Sequence, residues 1–450
     1  MRNIRVGYFD LQEKNFISGI VINDIFLRPL ARYVKLIAIP VNKKKDIKGT
    51  FSRLKGYKLD YIYVDGYNFL LESFLLREKF ESDIPFIVTL HTVFAWKESY
   101  TYLAPLIRKY DIIYAVSDYA RKSFFRISDK FNIRVIPYCL DVDFIRSNIS
   151  PNFKKDKKLI TFMGRLVEEK GIRTLIRCMP EIIARAGGVH LNIIGPLSGG
   201  GMKDTPKSMY VKRIERTVRQ LKLTNRVHFK GVQLGLDKYR LLSESDIFVS
   251  PTTALEEAFP MVNIEALACA VPVVTTNWAG NKELIMNGKN GFLIDVNYGQ
   301  DKKPKVDARQ LISAIVKTLK NKQLEAKMRK NALTSARRYD YRRVLPRLVS
   351  LLKKKLKAKV KSNWNLIKDK TVIDFRGIFN KDFFFFLNFD THFRKKTYAA
   401  LYKDVLSAPS SKKKRPLRAT KRMLRHRSRD LAIVKRLRQN LEHFLLLKSN

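Results

Sequence analysis

Two glutamates, Glu257 and Glu265, flank a Phe259-Pro260-Met261-Val262 turn that leads into a helix of small residues and then a β-rich segment, Val271 to Thr275. The spacing sets one carboxylate on a loop and the other about a turn inside the helix. A helix start offers N–H groups without a partner in the helix, at the positive end of its dipole. Phosphates bind readily at such a place. Pro260 fits the first helical position, because that turn has no use for the missing N–H. Met261 and Val262 then present their N–H groups to an anion, Glu257 can take sugar hydroxyls, and Glu265 can reach the hydroxyls of a ribose. The set suits a sugar joined to a diphosphate.

Cations that would grip such a diphosphate stand upstream, in Phe162-Met163-Gly164-Arg165-Leu166-Val167-Glu168-Glu169-Lys170-Gly171. A forked guanidinium, Arg165, can hold two phosphate oxygens, and Lys170 adds a compact charge. Fixed cations beside a departing phosphate stabilise charge that develops during reaction. His91 closes the apolar run Phe86-Ile87-Val88-Thr89-Leu90, a polar residue at a strand end. Asp118 reads as a helix N-cap, and Gly280 either as a structural turn or as a border of the donor site. Gly199-Gly200-Gly201 lacks the Gly-Lys-Ser/Thr of a P-loop.

The elements that must position these residues alternate. Strands are predicted at Ile4–Tyr8, Val34–Pro40, Tyr61–Val64, Phe86–Leu90, Ile112–Val116 and Arg134–Ile136, with helices near 20–33, 68–80, 98–109 and 118–128. A second series begins at Leu159, with strands at 159–163, 191–194, 227–230, 247–249, 271–275 and 292–294. A helix over 307–335 and a last one over Ser335–Leu352 follow. Alternating β and α with apolar strands implies parallel sheets covered on both faces. Ligands on such sheets sit at the carboxyl ends of the strands.

In this order the segments resemble retaining glycosyltransferases of the GT-B fold, family 4. Glu257 and Glu265 occupy the two acidic positions of that family's E-x7-E signature. Gly164-Arg165-Leu166 with Lys170-Gly171 matches its Gly-Arg-Leu…Lys-Gly element. Leu191–Gly195, Val227–Gly231, Ser245–Pro251 and Asn290–Ile294 match in sequence. The resemblance covers roughly residues 1–350 and is sharper in the second half. It implies an α/β architecture of two Rossmann-like domains facing a cleft, with a basic helical C-terminal extension. Residues 1–150 would form an acceptor-side domain, 151–335 a nucleotide-sugar-binding domain, 336–352 a crossover helix and 353–450 the extension. It implies a retaining sugar transfer that needs no metal or other cofactor. Glu257, Arg165, Lys170 and His91 would be catalytic, and Glu265, Met261, Val262 and Gly19 would bind the donor. His91 resembles the family histidine that contacts the donor sugar, and Ser18-Gly19 the glycine loop near the phosphates. The family often has Glu-Gly-Phe-Gly where this chain has Glu257-Ala258-Phe259-Pro260, which bears on the identity of the donor sugar.

Among the 450 residues, 89 Lys/Arg face 41 Asp/Glu, a net charge of +48. Residues 353–450 hold 28 of the basic and 7 of the acidic residues. Such a field favours polyanions. Basic clusters at 353–361 and 412–415, a Phe383–Phe386 run, and apolar steps at Leu431, Val434, Leu437, Leu441 and Phe444 point to an anionic membrane surface first, a packed or solvated extension second and nucleic acid third. Three separated cysteines give no metal-ligand spacing. No apolar run approaches the roughly 20 residues that span a bilayer, and the N-terminus reads as a first strand, not a signal peptide. A cytoplasmic or membrane-peripheral protein is expected. The partners expected are a nucleotide sugar and a glycan or lipid-linked acceptor. The competing readings are a GT-B phosphorylase or epimerase, and a nucleic-acid-binding protein on a degenerate transferase scaffold.

Overall fold

The computed structural model describes residues 3–11, 23–41, 54–64, 73–74, 77, 82–91, 107–125, 133–149, 157–198, 208–298 and 303–361. Most of the predicted helices over 68–80 and 98–109, the Gly199–Gly201 segment and the extension beyond residue 361 lie outside them.

Two parallel six-stranded sheets dominate. The first holds β1 (Arg5–Leu11), β2 (Lys35–Val41), β3 (Tyr61–Val64), β4 (Phe86–Leu90), β5 (Ile112–Ala115) and β6 (Arg134–Val135), in the order β2-β1-β3-β4-β5-β6. The second holds β7 (Lys158–Met163), β8 (Val189–Ile194), β9 (Val227–Gly231), β10 (Ile247–Ser250), β11 (Val273–Thr276) and β12 (Gly291–Ile294), in the order β12-β11-β10-β7-β8-β9. Every residue of β3, β4, β8, β10 and β11 is buried. This is the pattern of strands covered on both faces, and explains why they read as unbroken apolar runs.

The labelled helices are α1 (Asp118–Phe125), α2 (Val142–Ser147), α3 (Ile172–Ala186), α4 (Met209–Gln220), α5 (Gly235–Ser243), α6 (Met261–Ala268), α7 (Ala308–Lys320), α8 (Lys322–Ala336) and α9 (Tyr341–Lys361). In α6, Ile264 and Leu267 are fully buried, each contributing about 1.5–3 kcal/mol by leaving water. Several local expectations change. Pro260 is the N-cap, with φ −73° and ψ 91°, and Met261 is the first helical residue. The single helix expected over 307–335 is two. Asn321 leaves helical geometry and its side chain caps α8 by accepting from the Leu324 N–H at 2.9 Å. Ser117, not Asp118, caps α1, its Oγ accepting from the Ala120 N–H at 3.0 Å. Asp118 instead pairs with Arg121 and Lys122.

The chain crosses between the sheets twice, near residue 140 and near residue 340. The crossings are tied together. Leu140 N–H donates to the Tyr339 carbonyl and Tyr341 N–H to the Leu140 carbonyl, each at 2.9 Å. Arg342 reaches Asp141, Asp143 and Asp340 at 2.8–2.9 Å. From there α9 returns along the first sheet, where the Tyr61 hydroxyl donates to the Leu352 carbonyl at 2.9 Å.

Candidate functional site

The second sheet reverses its strand order between β7 and β10, and chain leaving adjacent strands in opposite directions opens a crevice at their carboxyl ends. The loop after β7 carries Arg165 and Lys170; the loop after β10 carries Glu257. Lys170 and Glu257 meet there in an ion pair, with side chains 18% and 13% exposed. Thr252 Oγ1 also lies 3.3 Å from Glu257 Oε2. The two loops are fastened to each other: Thr253 N–H and Thr252 Oγ1 donate to the Glu169 carbonyl at 2.8 and 3.1 Å. Gly171 permits this contact. Its φ is +72°, and a Cβ there would collide with the Pro251 carbonyl. Arg165 begins the same loop, half-exposed, 3.8 Å from Glu169.

Beyond Glu257 the chain turns through Ala258-Phe259-Pro260 into α6, whose first amides, those of Met261 and Val262, have no carbonyl one turn behind them. Both residues are half-buried. Gly280 presses on the turn from the other side. Its N–H donates to the Glu257 carbonyl at 2.9 Å, and a Cβ would strike the Ala258 carbonyl. A buried polar chain backs the helix: Asn263 Nδ2 donates to Asn281 Oδ1 at 2.8 Å, and Thr276 Oγ1 to the Thr252 carbonyl at 2.6 Å. Glu265 is almost wholly buried, and Lys238 of α5 donates to its Oε1 at 2.6 Å. No motif surrounds Lys238 that would single it out from among so many lysines.

The first sheet contributes His91, at the end of β4 and 9% exposed. Its ring lies 6.4 Å from that of Tyr138. Tyr138 in turn meets Phe259 at 6.0 Å, and Phe259 meets Tyr339 at 5.7 Å. A run of rings thus joins the His91 strand end to the turn after Glu257 and to the crossover. The Tyr119 hydroxyl donates to the Leu255 carbonyl at 3.0 Å, and Glu283 accepts from the N–H groups of Asp118 and Tyr119. Neither residue stands out in the sequence, where a lone tyrosine and a lone glutamate outside any motif carry no signal. Gly19 lies outside the described residues. Burial pushes the Cys178 thiol up to about 11 and raises those of Cys139 and Cys269, so all three remain protonated, unreactive thiols at neutral pH.

Residues 144–335, which carry β7 to β12 and both glutamates, match the family model described as glycosyl transferases group 1. This segment is a glycosyl transferases group 1 domain. Spore coat protein SA of Bacillus subtilis is 30% identical over 198 residues, 44% of this chain and 49% of the relative. The chain spans about half or less of the length of the curated relatives it matches. Among solved structures, a glycosyltransferase from Rickettsia africae is similar at 19% identity and a TM-score of 0.63, over 79% of this chain and 100% of that one. HepE of Anabaena, in complex with UDP and glucose, is similar at 19% identity and a TM-score of 0.60, over 78% and 100%. At such identities the likeness concerns architecture, and the architecture is GT-B.

Proposed function

We propose that the chain is a retaining glycosyltransferase that moves a sugar from a nucleotide-diphosphate donor to a hydroxyl acceptor. The observation that carries this reading is the meeting of Lys170 with Glu257 at the switch point of the second sheet, one short turn before the N-terminus of α6. Residues 151–335 would bind the donor and residues 1–150 the acceptor. Glu257 would hold donor-sugar hydroxyls. Lys170, already beside that carboxylate, would share its charge with the diphosphate, and Arg165 would close on the phosphates from its exposed position. The first-turn amides of α6 would stabilise the negative charge that grows as the bond from the anomeric carbon to the phosphate oxygen breaks. The acceptor oxygen would form its bond on the same face and pass its proton to the departing phosphate. His91 would position the donor sugar. Glu265, held by Lys238, would keep its second oxygen for the ribose.

The reading is tested by incubating the full chain with UDP-, GDP- and ADP-sugars and a panel of acceptors, and measuring nucleoside diphosphate release. Acceptor-dependent release with one donor is expected, and it should be lost in Glu257→Gln and Lys170→Met. Inorganic-phosphate-dependent turnover would favour a phosphorylase, and sugar inversion at carbon without an acceptor would favour an epimerase.

A specific observation also favours an acceptor held at a membrane. Helix α9 carries nine Lys/Arg and no Asp or Glu. Its Val344, Leu345, Leu348 and Leu352 are buried, while Arg343, Arg347, Lys353, Lys354 and Lys357 are exposed. Each such cation near an anionic leaflet is worth about 1 kcal/mol. Among the described residues no helix is long and apolar enough to cross a membrane. We expect the full chain to sediment with vesicles containing phosphatidylserine and not with phosphatidylcholine alone, with the difference abolished by salt. Equal sedimentation with both would overturn this part, and tighter salt-sensitive binding to RNA would replace it.

A further inference from the structure

Glu283 stands outside the paired glutamates and is one of the residues through which the second sheet's domain grips the first. It belongs to the one-turn helix Asn281–Leu284 that follows β11, directly after Gly280. Its Oε2 accepts from the Asp118 N–H at 2.8 Å and its Oε1 from the Tyr119 N–H at 2.6 Å. These are two of the first amides of α1, the helix that leaves the carboxyl end of β5. Both carboxylate oxygens are thus spent on one helix end, where the dipole also favours negative charge.

Two neighbouring contacts fix the direction in which this grip acts. The Tyr119 hydroxyl reaches the Leu255 carbonyl at 3.0 Å. Leu255 stands two residues before Glu257, and Gly280 N–H holds the Glu257 carbonyl at 2.9 Å. The stretch Ser117–Tyr119 therefore touches the Glu257 loop on one side and the segment bracing that loop on the other. Glu283 also lies close enough to Tyr339, at the second crossover, for its charge to add to burial in raising that phenol's pKa.

We propose that Glu283 is a positioning residue that sets the closed arrangement of the two domains by capping α1 from across the cleft. This rests on the transferase reading for its effect on turnover. The cap itself can be measured without any activity. The carboxylate acts through backbone N–H groups, so it can be removed from either side. Glu283→Ala takes away both acceptors. Asp118→Pro takes away one donor; proline is tolerated at the first helical position, and the extended residue before it is what an N-cap already adopts. Asp118→Ala keeps the N–H and removes only the ion pairs with Arg121 and Lys122.

Hydrogen exchange of the segment containing Asp118 and Tyr119 and steady-state kinetics decide the matter. In Glu283→Ala, exchange there should quicken about tenfold, and kcat should fall about tenfold while the KM for the nucleotide sugar stays within twofold, because the diphosphate and ribose contacts proposed above all lie on the second domain. Asp118→Pro should lower kcat in the same direction, Asp118→Ala should not, and the Glu283→Ala/Asp118→Pro pair should be less than additive. Unchanged exchange in Glu283→Ala overturns the proposal. So does quickened exchange with intact kcat, or an Asp118→Ala variant as impaired as Asp118→Pro. A wild-type chain that transfers no sugar defeats the transferase reading, and the exchange result then judges the cap alone.

Discussion

Two lysine–glutamate pairs form on the glutamates of one loop–helix segment of the second domain and live in different surroundings. Lys170 and Glu257 meet at the crevice, where both side chains keep some access to solvent. Lys238 and Glu265 lie behind α6 with 9% and 4% exposure. A crevice pair can exchange partners with an arriving anion at modest cost. A buried pair cannot lose one member without stranding the other in an apolar surround. In the reading proposed above, glutamates eight residues apart in one signature would do unequal work: Glu257 in contact with the reacting sugar, and Glu265 held against Lys238 behind the helix that presents the amides, with its second oxygen left for the ribose.

The comparison breaks most visibly if the buried pair is halved. Glu265→Leu should destabilise the protein by about 3–5 kcal/mol by leaving Lys238 uncompensated. The Lys238→Met/Glu265→Leu double variant should recover most of that loss in a denaturant titration. A single variant as stable as wild type would mean that the two pairs do not differ. At the crevice, Glu257→Gln should cut kcat by about 10²–10³-fold with an unchanged denaturation midpoint. An intact rate would return Glu257 to a structural role. Between the pairs, Gly280→Ala should cost about 1–3 kcal/mol, because the added methyl meets the Ala258 carbonyl, and activity should fall with it as the Glu257 turn shifts. Tyr119→Phe removes a single neutral hydrogen bond across the domains and should cost about 0.5–1.5 kcal/mol.

The smallest effect belongs to the opposite end of the same sheet. His190 and His228 stack there near the amino ends of β8 and β9, 3.0 Å apart between Nδ1 and Nε2, and Arg226 lies 3.0 Å from His190 Nε2. Desolvation first, then Arg226 and Lys157 beside His190 and Lys230 and Lys157 beside His228, lower both pKa values. The unfolded chain thus binds more protons than the folded one just below the ordinary imidazole value of about 6.5. Stability contributed by the neutral pair is full above that value and declines as pH falls through it toward the lowered folded values. A melting temperature measured from pH 7.5 to 5.5 should fall less in His190→Gln than in wild type.

Much of this was legible in the chain. The strands Tyr61–Val64 and Phe86–Leu90 were bounded correctly, because buried parallel strands are apolar throughout and end at polar residues. The break at Asn321 was missed because apolar spacing runs through both α7 and α8. Only the cap to Leu324 separates them. Pro260 fell one position outside the helix, since a proline suits the residues on either side of that boundary. At the site, the lysine of the crevice pair could be chosen because Gly164-Arg165-Leu166 and Lys170-Gly171 surround it. Lys238 and Glu283 had no such setting.

The sequence by itself determined the two βα series, the carboxylate turn before a small-residue helix, and the excess of positive charge. Each is carried by local periodicity, composition or a short motif. Only the tertiary structure decided which cation each glutamate meets, because those partners lie 87 and 27 residues away along the chain. The strand order of the second sheet brings the loops after β7 and β10 together, and the crossovers bring Glu283 to the first amides of α1. An ion pair depends on a few ångströms of separation, and that separation exists only after both sheets have packed.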